Sequence, residues 1–98
     1  MKKYELMDIA KGIDDDWKSL ILGKVGSSRI KVLRMSGEAY PEESHEYNEA
    51  LLVLEGKMEL LIKGEEVTVR SGELMVVDAN VPHSVLPGSF GTLVIVDM

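Results

Sequence analysis

After Trp17 the chain breaks into short apolar runs separated by Gly, Ser, Pro, Asn or paired charges. Runs of this length, with turn residues recurring about every 8–12 positions, predict an all-β fold of several antiparallel strands. No stretch after Trp17 holds the 3.6-residue period of an amphipathic helix. The predicted strands are Trp17–Val25 and Arg29–Met35 around a Gly26-Ser27-Ser28 turn. Next come Glu49–Glu55 and Met58–Ile62 around a Gly56-Lys57 turn, then Val67–Arg70, Leu74–Val77, Ser84–Leu86 and Thr92–Met98. Glu38–Asn48 is polar and holds Pro41, which predicts a loop. Asp8–Gly12 has the makings of one helical turn.

Alternation assigns faces. Met58, Leu60 and Ile62 share one side of their strand, and Val67 and Val69 one side of the next, as expected for half-buried antiparallel strands. Glu49–Glu55 differs, because Ala50, Leu52 and Leu54 line one face while Leu51 and Val53 line the other. A strand apolar on both faces needs cover on both. In so small a chain the expected second cover is another subunit, which predicts a homodimer.

Composition narrows the function classes. The chain has 98 residues, 45% of them hydrophobic and 29% charged, which predicts one folded domain over 1–98 with residues 1–16 as an acidic lead-in. The net charge of −6 argues against a nucleic-acid partner and against an anionic membrane surface, both of which need a basic face. The longest apolar run, Ala50–Leu54, is far short of the roughly 20 residues of a spanning helix. Met1–Glu5 leads into no long apolar stretch, so a signal peptide is not expected and a cytoplasmic location is. With no Cys, thiolate metal sites, disulfides and thiol nucleophiles are excluded.

The remaining chemistry gathers around the two His, His45 and His83. Glu43, His45 and Glu49 differ by even numbers, so extended chain can present all three to one side. An antiparallel sheet can fold His83 onto them. Imidazole and carboxylate suit divalent manganese, iron, nickel or zinc, and two His with one carboxylate leave open positions for a ligand. Against this stands the plainer reading that two His in 98 residues are ordinary and that Glu43 belongs to a solvated Glu42-Glu43 pair. Trp17, Tyr40 and Tyr47 read first as packing residues. A pocket-mouth role for the two tyrosines and a ligand-stacking role for Trp17 are the alternatives.

Gly37 through Gly56 resembles the first motif of the cupin superfamily: Gly, five residues, His-any-His, three or four residues, Glu, six residues, Gly. Every spacing fits, and Glu43 stands where the family has its first His. Gly72 through His83 resembles the second motif, with Asp78 for its Pro, Asn80 for its Gly and Pro87 for its final Asn. The resemblance runs from about Trp17 to the end and is to small single-domain bacterial cupins. It implies a jelly roll or double-stranded β-barrel, often dimeric, with His45, Glu49 and His83 as metal ligands. Glu43 would then be a fourth ligand, or point into solvent, or mark a site that has lost its metal. Two functions follow: a metal-dependent enzyme acting on a small organic molecule, or a non-catalytic small-molecule binding module with a degenerate, metal-free site.

Overall fold

The computed structural model describes residues 1–98. One helix, α1 (Leu6–Lys11), precedes eight strands: β1 (Leu20–Val25), β2 (Ser28–Ser36), β3 (Tyr40–Glu43), β4 (Glu49–Ile62), β5 (Glu65–Arg70), β6 (Leu74–Val77), β7 (His83–Val85) and β8 (Phe90–Asp97). All pairings are antiparallel, in the order β1-β2-β8-β4-β7-β3, with β5 and β6 also on β4. The sheet curls into a half-barrel: the strand spacing predicted an all-β fold, and the motif resemblance a jelly roll. Strands β1, β3, β5 and β6 each have a single partner and form its edges.

Strand β4 organises the fold. Its first half pairs with β8 on one side and β6 on the other, and its second half pairs with β5 and β7. The expected hairpin at Gly56-Lys57 is therefore absent, and the chain runs straight through as one strand of 14 residues. Gly56 instead marks a bend. Its φ is +83°, it lies opposite Gly91 (φ +99°), and the register slips between Val53 and Glu55. A Cβ on Gly56 would land on the Phe90 carbonyl, and one on Gly91 on the Glu55 carbonyl. Two backbones cross here at a distance only glycine permits, and the bulge turns β4 from one half of the curl to the other.

The segment expected as a loop holds β3. It joins β7 through Tyr40↔Val85 and Glu43↔His83, with an irregularity between. Pro41, which lacks an N–H, sits within that irregularity on an edge strand, where no ladder bond is lost. The first predicted strand starts later than expected, at Leu20, because Trp17 adopts a φ of +64° and its N–H donates to the Arg34 carbonyl at 2.8 Å.

Inside the curl, Leu33, Leu51, Val53, Met58, Leu60, Val69, Val85 and Leu93 form the core with Met35 and Val77. The second apolar face of β4 has a different cover from the one expected. Leu52 and Leu54 pack with Leu6 and Ile9 of α1 around buried Ala10, Val32 and Val94, so the chain's own helix covers part of that face. Leu74 and Val76 beside it stay exposed. No helix is long and apolar enough to cross a membrane.

Candidate metal centre

The ladder places the polar residues by arithmetic. Lys31, Ile95 and Leu51 lie side by side across β2, β8 and β4, and Leu33, Leu93 and Val53 form the next inward row. Toward the other end the inward positions become Asp97 on β8 and Glu49 on β4, one step beyond the paired Val96 and Ala50. The interior thus grades from hydrocarbon to charge along each strand. The second half of β4 carries the opposite wall, where His83 pairs beside Ile62. Asn80, in a left-handed conformation (φ +64°), donates its N–H to the His45 carbonyl at 2.6 Å and ties the two His-bearing segments together.

His45, His83, Glu43 and Glu49 converge there. One donor atom each from Glu43, His45 and His83 lies within 4.8 Å of the other two. The Glu43 carboxylate is 3.4 Å from His45 Nε2. Glu49 reaches both rings, with Oε1 at 3.2 Å from His83 Nε2 and Oε2 at 3.8 Å from His45 Nε2. Glu49 and His83 are buried, at 7% exposure each, while Glu43 keeps a side chain 42% exposed at the rim.

Tautomers decide what this cluster can hold. His83 Nδ1–H donates to the Val81 carbonyl at 3.0 Å, so in the neutral ring Nε2 carries a lone pair. That lone pair faces a carboxylate oxygen, and His45 Nε2 is buried with no hydrogen-bond partner. Acceptors facing acceptors need a proton or a cation between them. The ring-to-carbonyl bond is the usual way a ligating His is oriented. The donor set therefore fits a divalent ion. Desolvation pushes the Glu49 carboxyl above its ordinary 4.5, against the pull of His83 and His45. Burial, and then the Asp97 and Glu49 charges, raise the Tyr47 phenol above 10.0.

The cluster opens into a cavity of about 250 Å³, half of whose lining residues are hydrophobic. Tyr47 stacks flat on His45, with ring centroids 5.0 Å apart. Trp17 and Tyr40 stand on the cavity wall, their centroids 5.6 Å apart. Lys31 and Asp97 also line it, paired at 2.9 Å. Sequence reading missed this pair. Its signal was present, since Lys31 shares its alternation with Leu33 and Met35, and Asp97 with Leu93 and Ile95. A charged residue on an apolar face is the mark of a pocket wall.

The cupin domain family model matches residues 32–97. Among solved structures, a Neisseria meningitidis protein superposes with a TM-score of 0.85 at 22% identity, covering 99% of each chain. A cupin-2 domain containing protein from Shewanella frigidimarina gives 0.84 at 18%, over 92% of this chain and 88% of that one. An RmlC-like cupin protein from Desulfovibrio desulfuricans gives 0.78 at 21%, over 98% and 94%. At these identities the likeness is one of fold. No curated protein matches the chain.

Proposed function

The chain belongs to the cupin domain family, and from that premise we propose that it holds a divalent metal ion with His45, Glu49, His83 and Glu43 and presents it to a small organic ligand. The observation that supports this most directly is the unpartnered, buried Nε2 of His45 beside the lone-pair face of His83. Two carboxylates with two imidazoles favour manganese or ferrous iron over copper, with nickel and zinc also within the reach of such a set. Glu43, in place of the family's first His, adds negative charge at the rim. A bound ion of this kind acts as a Lewis acid toward an oxygen-bearing ligand. The chain's residues do the rest: Glu49 and His83 fix the buried side, Tyr47 holds the His45 ring, and the apolar wall excludes water. The cavity, at about 250 Å³, lies just below the range of ligand pockets, about 300–1,000 Å³, so the ligand is smaller than a drug-sized molecule.

A metal-free binding module is the second reading, favoured by the raised Glu49 carboxyl. A proton held between Glu49 and His83 would also reconcile their facing acceptors. Metal analysis by mass spectrometry of protein purified without added metal separates the two. Near-stoichiometric metal, lost in His45→Ala and His83→Ala, is expected. A wild-type chain that stays empty after incubation with manganese, iron and nickel leaves only the metal-free module. Turnover of a small substrate by the loaded protein is the further step that would make it an enzyme. The exposed Leu74 and Val76 beside Leu52 support a homodimer, and the net charge of −6 argues against a nucleic-acid or anionic-membrane partner.

A further inference from the structure

We propose that Trp17 and Tyr40 form an aromatic lip that receives a ring or other flat apolar end of the ligand whose oxygen donors occupy the metal centre. The proposal deepens the metal-site reading above and rests on it. Trp17 is the chain's single tryptophan. Its backbone φ of +64° lies in the left-handed region, which a bulky residue seldom adopts. The other two non-glycine residues in that region have local reasons: Lys63 precedes Gly64 in the β4–β5 hairpin turn, and Asn80 is a type that tolerates it. Turn geometry would favour Gly or Asn at position 17 as well, so the tryptophan is there for its side chain, which packs partly against the core and also lines the cavity.

That side chain is held in place. The indole Nε1–H donates to Ser36 Oγ at 3.0 Å, and the ring tilts 36° against Tyr40. Both rings line the same cavity as Glu43, His45 and His83. Strand β3 explains how one short segment serves both ends. Tyr40 and Glu43 are three positions apart and should face opposite sides, yet the irregularity between them spans only two positions of β7, Val85 and His83. The bulge resets the alternation, so both side chains face inward. Two residues of β7 separate the lip from the metal ligand by about 7 Å, roughly the distance from a chelating group to an attached ring. The ligand class is therefore a small oxygen chelator bearing a planar or apolar ring.

The test uses acetohydroxamate and benzohydroxamate, which carry the same chelating group with and without a ring, on manganese-loaded protein by isothermal titration calorimetry. Wild type is expected to bind the benzo compound at least tenfold tighter. Trp17→Asn, which suits the left-handed backbone, is expected to bring the ratio to within threefold, and Trp17→Phe to restore most of it. A preference below threefold in wild type, or one unchanged in a folded Trp17→Asn protein, overturns the lip. If neither compound binds because no metal is held, the metal reading fails separately. Phenol titrated into the metal-free protein then decides: saturable change in Trp17 fluorescence supports the lip, and no response overturns it. If Trp17→Asn does not fold, Tyr40→Leu carries the same comparison.

Discussion

His83 donates Nδ1–H to a backbone carbonyl and so turns its remaining lone pair toward Glu49. In the neutral ring that bond leaves a site between His83 and Glu49 for a proton or a metal cation. Replacing His83 by Ala should weaken manganese binding by more than about 100-fold, beyond the cost of losing an orienting partner, as read by calorimetry. Glu43→His should tighten nickel or zinc binding if the rim carboxylate ligates, and an unchanged affinity would place Glu43 outside the coordination sphere. The pH dependence follows from Glu49. Its folded-state pKa is raised, so the unfolded chain ionises first and the metal-free protein loses stability as pH climbs from 4.5 through the folded value. Metal requires the ionised carboxylate and neutral imidazoles. The rise in Tm on adding manganese should therefore grow with pH across the same range and above it, and a flat difference in scanning calorimetry would refute the assignment. Spacing made these four side chains legible in the sequence, because Glu43, His45, Glu49 and His83 keep the motif's intervals even though the identity fails at Glu43. The packing of Trp17 against the core was legible, but its left-handed backbone was not, since it goes with a hydrogen bond to the Arg34 carbonyl across the sheet.

At the level of elements, the misread hairpin at Gly56-Lys57 is instructive. A Gly-Lys pair between two apolar runs has the local look of a reversal. Nothing local reveals that Gly91, 35 positions on, crosses at the same point. Gly56→Ala forces a Cβ into the Phe90 carbonyl at a left-handed φ and should cost more than about 2 kcal/mol, measured by urea denaturation. Strand β3 was hidden for the opposite reason: four residues with a proline carry too little periodicity, and pairing with β7 supplies what the sequence lacks. The cross-strand pair Glu59↔Thr68 offers a smaller check. Thr68 Oγ1 donates to Glu59 Oε2 at 2.8 Å and, with Lys57, holds that carboxyl below 4.5. Thr68→Val should raise it toward 4.5 in an NMR titration.

For the whole molecule, the alternation of β4 was right about two apolar faces and incomplete about their cover. Helix α1 takes part of the second face, which weakens the original reason for a dimer and leaves Leu74 and Val76 as its remaining support. Light scattering on a sizing column should give twice the 10.9 kDa chain mass at micromolar concentration. A monomer would assign the exposed pair to ordinary surface. The pairing order carries one more consequence. Strands β2 and β4 never touch along a ladder, because β8 lies between them. Strand β8, made after every other strand of the sheet, is thus its keystone, and the nascent chain has to wait for Phe90–Asp97 before β2 and β4 can be joined.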